Sequence, residues 1–128
     1  MKGKDAPVFL DAEITWYGDP AFDAAFCLNH LLLKSVYNPE TAKLYLNIFH
    51  HLSESYFNEV DWEKRESLET RVARLLPVLF LARIDGKSPA EYLTSENHKN
   101  MVRQTARKLI IDSPKTLKEI AEMIGNNK

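Results

Sequence analysis

A chain of 128 residues with 45% hydrophobic side chains has the length and apolar content for one domain with a buried core. Its 17 basic and 18 acidic residues give a formal net charge of -1, which argues against a strong, non-specific binder of nucleic acid or of a membrane surface. The apolar runs Leu31 to Leu33 and Leu75 to Ala82 fall short of a membrane span, no long apolar core follows Met1-Lys2-Gly3-Lys4, and the single Cys27 excludes an internal disulfide, so a cytoplasmic location is expected.

After the polar residues Met1 to Pro7, Val8-Phe9-Leu10 is a short apolar run with a β-branched and an aromatic side chain, the pattern of a buried strand. Asp11 and Glu13 follow. In an extended chain side chains two apart project to the same side, so these carboxylates can share one divalent cation, and hard oxygen ligands of this kind suit magnesium better than zinc. Gly18-Asp19-Pro20 then reads as a helix start, with Asp19 as cap and Pro20 at the first position, where its missing N–H costs nothing. Asp23 lies about one turn further on and faces back toward the strand end.

From Ala21 to Tyr37, Phe22, Ala25, Phe26, Asn29, Leu32, Leu33 and Val36 recur at three- and four-residue steps and predict a central amphipathic helix. Asn38-Pro39 ends it and starts the next, in which Tyr45, Ile48, Phe49, Leu52 and Tyr56 share a face. Asp61 is expected to cap a third helix with Leu68, Val72, Leu75, Leu76, Leu79 and Phe80 in phase, bent by Pro77 and ended by Asp85-Gly86. Ser88-Pro89 predicts a short helical turn through Leu93, Ser95 a helix to about Ile110, and Ser113-Pro114 the start of the last helix. The fold class expected is therefore mainly α, a single domain over 1–128, with one short N-terminal β-strand in a segment over 7–19 and helices over 20–125.

Other chemistry-bearing residues have plainer readings. Adjacent His50 and His51 on a helix point about 100° apart, and His50 with Glu54 supplies only two ligands, so a zinc site is not expected there. His30 and His98 are isolated and read as packing or surface residues, while Cys27, among apolar neighbours and without a paired histidine, is expected in the core. Lys99, Arg103 and Arg107 form a basic stripe, with Lys108 beside it. A solvated helix face is expected rather than a nucleic-acid contact, because no aromatic residues interleave with it.

The segment Phe-Leu-Asp-Ala-Glu-Ile-Thr-Trp-Tyr-Gly-Asp-Pro-Ala-Phe-Asp-Ala-Ala, Phe9 to Ala25, resembles the metal-binding segment of the aminoglycoside phosphotransferase and choline kinase family, small-molecule kinases with a protein-kinase-like fold. The stretch Leu81 to Leu93, Leu-Ala-Arg-Ile-Asp-Gly-Lys-Ser-Pro-Ala-Glu-Tyr-Leu, is similar to part of the helical lobe of some members. The resemblance implies that this is the helical C-terminal lobe of such an ATP-dependent phosphotransferase, that Asp11 bridges magnesium to the nucleotide phosphates, and that Glu13 is an accessory metal ligand. It also implies that Asp23 holds the backbone of a catalytic loop. The family's nucleotide lobe and its His-Gly-Asp loop lie before the metal segment, and no His-Gly-Asp occurs here, so activity is not expected from this chain alone. A lone strand leaves backbone groups unpaired. The expected partners are thus a second copy of the chain or a missing N-terminal kinase lobe, with a small-molecule acceptor, no nucleic acid and no membrane. The alternative is a non-catalytic helical self-association or interaction module.

Overall fold

A computed structural model describes residues 18–126, which are helical over 79% of their length and contain no strand. The expected strand at Val8-Phe9-Leu10 lies outside the described residues. Five α-helices follow one another: α1 (Pro20–Tyr37), α2 (Ala42–Asn58), α3 (Arg65–Asp85), α4 (Glu96–Asp112) and α5 (Leu117–Asn126). Among the described residues no helix is long and apolar enough to cross a membrane.

The order of packing follows from which faces are apolar. α1 packs against α2 on one side and α3 on the other, α4 lies against α3, and α5 rests on α2, α3 and α4. α1 is accordingly the helix with the widest buried face: Ala21, Ala24, Ala25, Leu28, Asn29, Leu32, Leu33 and Val36 are all buried. α3 contributes Leu68, Val72, Leu76 and Phe80 at four-residue steps, as the sequence spacing predicts. Pro77 is buried inside α3, yet the helix continues to Asp85, so the lost donor does not end it. The buried apolar side chains form one contiguous cluster.

Helix α2 does not bury the whole of the face that its large apolar residues share. Its buried residues are Ala42, Phe49, Ser53 and Phe57, while Ile48 and Leu52 are each 39% exposed. The small Ala42 and Ser53 sit inward, so the buried arc is centred on Phe49 rather than shared with Ile48 and Leu52.

The helix termini divide into those written locally and those set by tertiary contacts. Asn38 ends α1 and its side chain accepts from the Glu40 N–H at 3.1 Å, starting the 3-10 turn Pro39–Thr41 that leads into α2. Asp61 does not cap α3; the helix starts at Arg65, with Lys64 at the cap position and no side-chain cap. The Ser88-Pro89 segment forms only a turn at Glu91 and Tyr92, not a helix. Ser113 does not open α5 but closes α4: it adopts the left-handed conformation (φ 48°) and its N–H donates to the Leu109 carbonyl at 2.9 Å. Pro114 behind it prevents continuation of α4. α5 instead starts at Thr116, whose Oγ1 accepts from the Glu119 N–H at 3.3 Å. Glu119 Oε2 in turn accepts from the Lys115 N–H, a variant of the capping box.

At the end of α3, Gly86 has an extended rather than left-handed backbone (φ -87°), so conformational freedom does not explain it. A Cβ there would collide with the Ala82 carbonyl oxygen, which accepts the Gly86 N–H. Glycine is needed for that close approach.

Candidate functional site

Of the four acidic residues singled out in the sequence, Asp19 and Asp23 stand at the N-terminus of α1. Asp11 and Glu13 lie outside the described residues. Asp19 Oδ1 accepts from the Ala21 N–H at 3.0 Å, satisfying one of the free donors of the first turn, with Pro20 at the first helical position. The same carboxylate is gripped from the side. Arg71 of α3 donates from Nε to Oδ2 at 3.0 Å and from Nη2 to Oδ1 at 3.1 Å, a two-pronged contact. Its other edge holds Glu63, with Nη1 to Oε1 at 2.7 Å and Nη2 to Oε2 at 2.8 Å. One guanidinium therefore ties the start of α1, the loop before α3 and α3 itself together.

The electrostatics follow from that geometry. Hydrogen bonds from Arg71 hold both Asp19 and Glu63 below their ordinary values, 3.8 and 4.5, and the two carboxylates push Arg71 up in return. A depressed carboxylate contributes stability that is present above its unfolded pKa and lost as pH falls through the folded one. Arg71→Gln is therefore expected to lower the melting temperature at pH 7, with the gap to wild type narrowing as pH falls below the ordinary carboxylate values and Asp19 and Glu63 take up protons. Melting curves over that range at low ionic strength measure it; a gap that stays constant would show that the carboxylates are not what Arg71 serves.

Asp23, one turn into α1, is exposed and makes no hydrogen bond or ion pair with the described residues. It stands at the rim of an apolar groove of about 150 Å³, walled by Ala24, Cys27 and Leu28 of α1 and by Leu52, Ser53 and Tyr56 of α2. Ser53 Oγ is turned away to donate to its own helix at His50 O, 3.0 Å, so the groove wall is nearly all hydrocarbon and sulfur. Tyr56 has its phenol pushed up, by burial first and then by the charges of Asp23, Glu63 and Asp19. Cys27 is exposed, not in the core as its apolar neighbours in sequence suggest. An α-helix turns a residue outward even between buried neighbours such as Ala25 and Leu28.

The remaining sequence-level candidates are accounted for by pairing. Among the described residues no three His, Cys, Asp or Glu side chains gather to hold a metal ion. Glu54 accepts from Arg65 Nη2 at 2.6 Å rather than joining His50. The Lys99, Arg103 and Arg107 stripe is partly neutralised: Arg103 binds Asp85 at 2.8 Å and Glu96 at 3.3 Å, and Lys99 lies 3.6 Å from Glu96. Arg71 and Glu63 were not distinguishable from surface charges in the sequence, because Asp19 and Arg71 are separated by 52 residues.

Carboxylate oxygens at Asp11 and Glu13 have the chemistry to hold magnesium. Asp19 is committed to Ala21 and Arg71, whereas Asp23 accepts no hydrogen bond from the described residues. Comparison of the chain with protein-family models, with curated proteins and with solved structures finds no match.

Proposed function

We propose that this chain is the helical C-terminal part of an ATP-dependent small-molecule phosphotransferase of the kind that the Phe9 to Ala25 segment resembles. Asp11 and Glu13 are its magnesium ligands, and the nucleotide lobe and the His-Gly-Asp loop come from another stretch of polypeptide. The observation that carries the reading is the contrast between two acids one turn apart. Asp19 is locked by Ala21 and Arg71, a fixed anchor for the start of α1, while Asp23 is left without a partner among the described residues. An acid that serves to hold the backbone of a catalytic loop should stand open when that loop belongs to a part not present. Phosphoryl transfer of this kind depends on positioning: Asp11 and Glu13 would hold magnesium, which would supply charge neutralisation at the phosphates, and the helical lobe would shape the acceptor site.

Coexpression of the chain with a polypeptide bearing a nucleotide lobe and His-Gly-Asp tests it. ATP-dependent phosphorylation of one of a panel of amino sugars, choline and thiosugars is expected, with turnover lost in Asp11→Asn and complex formation weakened in Asp23→Asn. A complex that forms without turnover, or turnover indifferent to Asp11→Asn, overturns the reading.

A second reading is a non-catalytic helical self-association module, favoured by the exposed apolar side chains Phe26, Leu44, Ile48 and Leu52 on α1 and α2. Light scattering separates the two, because a monodisperse monomer at high concentration sinks the second and leaves the first standing.

A further inference from the structure

The Leu81 to Leu93 stretch, which the reading above leaves without a role, builds a cavity of its own. The end of α3, the loop after it and the first turn of α4 enclose about 230 Å³, with Arg83, Pro89, Ala90, Thr94 and Lys99 among its walls. Arg83 is fixed there twice. Its carbonyl accepts from the Ala90 N–H at 2.8 Å, and its Nη1 donates to the Ser88 carbonyl at 2.6 Å. The loop thus holds the guanidinium in place while using one corner of it.

The Nε of that guanidinium has no partner among the described residues. Arg83 Nε is buried without a hydrogen bond among the described residues, and no carboxylate lies within ion-pair distance of the side chain. Arg65, Arg71 and Arg103 each have a carboxylate in ion-pair contact. A partly buried cation without a counter-ion is costly unless something supplies the charge. Nε is closed off by the surrounding protein, so an oxyanion reaches this guanidinium through its Nη groups. Lys99 adds a second positive charge to the same wall, and its partner Glu96 at 3.6 Å is exposed to solvent. Glu91 also lines the cavity, but it is exposed and forms no ion pair with either cation. Thr94 leads into the N-terminus of α4, where Ser95 makes no side-chain cap, so the first-turn N–H groups are left to other acceptors.

We infer that this cavity binds the oxyanion group of a small molecule, a phosphate or a carboxylate, with the guanidinium of Arg83 as the principal contact and Lys99 as the second. The uncompensated charge of Arg83 is felt by its neighbours. His30 is held below the ordinary imidazole value by burial first and then by Arg83 and Lys34, and Arg83 opposes the rise that burial gives the Tyr92 phenol. The site does not depend on the phosphotransferase reading.

Calorimetric titration of the full chain with inorganic phosphate, and separately with acetate, at low ionic strength tests it. Saturable binding is expected for at least one. Tighter phosphate identifies a phosphoryl ligand, and acetate equal or tighter identifies a carboxylate. Arg83→Lys keeps the charge but loses the fork and should weaken binding about tenfold. Lys99→Gln should weaken it by roughly threefold, and Arg107→Gln on the same helix should leave it unchanged. Absence of saturable binding by both anions, or binding that survives Arg83→Lys and Lys99→Gln undiminished, overturns the assignment. Because Arg83→Gln also releases Ser88 and can loosen the loop, the lysine variant carries the weight.

Discussion

Phe49→Ala is expected to cost about 3–5 kcal/mol, whereas Ile48→Ala and Leu52→Ala should each cost about 1 kcal/mol. Phe49 is 0% exposed at the centre of the α2 face that meets the core, and Ile48 and Leu52 are each 39% exposed. Truncating a fully enclosed ring removes its transfer free energy and leaves a cavity that the surrounding helices only partly fill. Removing a half-exposed branched chain forfeits less burial, and alanine returns some helix propensity. In melting temperature the first change corresponds to a fall of roughly 10–20 °C for a chain of this size. Urea denaturation of the three variants measures it. If Leu52→Ala costs as much as Phe49→Ala, then α2 is turned toward the face that its large apolar residues suggest, and the groove beside Cys27 is not open.

That comparison also locates one limit of what hydrophobic spacing conveys. In α1 and α3 the inward leucines, Val72 and Phe80 declare the face: Leu32, Leu33, Leu68, Val72, Leu76 and Phe80 fall where their spacing predicts, although Phe22 and Phe26, read as part of the same α1 face, are exposed. In α2 large apolar residues wrap more than half of the helix, and the phase is decided by small ones, Ala42 and Ser53. Ala24 of α1 faces Ser53 across the groove. Small residues let two helices approach closely, and a spacing rule that counts only large side chains does not register them.

Helix termini show the same division between local and distant causes. Asp19 with Pro20 and Asn38 with Pro39 are complete local instructions, because each side chain satisfies an N–H two residues on. The Ser-Pro pairs at 88 and 113 contain the same letters, but neither serine caps a following helix. Thr116 and Glu119 carried the signal for α5, a threonine with a glutamate three residues later. A further donor there is satisfied from far away: the Leu117 N–H donates to Glu69 Oε1 of α3 at 3.1 Å, 48 residues earlier in the chain.

For the candidate site, the sequence identified the acids and not the groups that answer them. Asp19 was legible as a cap, but its second role, as one of two carboxylates on Arg71, depends on α3 lying beside α1. The basic stripe on α4 was legible as a solvated face, and its neutralisation by Asp85 depends on α3 ending opposite Arg103. Arg83 has no signature beyond the Leu81 to Leu93 stretch that contains it. Its significance lies in the ion pair that it does not make among the described residues, and that is visible only in three dimensions.

Asn29→Ala is expected to stabilise the protein by about 1–2 kcal/mol, a rise of roughly 4–7 °C in melting temperature. Asn29 stands on the apolar face of α1 at 0% exposure, and neither its Nδ2 nor its Oδ1 has a hydrogen-bond partner among the described residues. A buried amide with nothing to bond costs on the order of 1–3 kcal/mol, because water is lost and not replaced. Alanine removes both orphan groups and gains about 0.5 kcal/mol of helix propensity. Against this, the space left by so small a side chain costs only on the order of 0.5 kcal/mol. The balance is favourable, which is unusual for a substitution at a fully buried position. Asn29→Asp is the complement: an ionised carboxylate at the same point should destabilise strongly at pH 7 and recover part of the loss in acid as it protonates. Thermal and urea melts of the two variants decide the matter. A loss of 1 kcal/mol or more in Asn29→Ala would mean that the amide has a partner after all, such as an enclosed water, and that α1 is held through it as well as through its alanines and leucines.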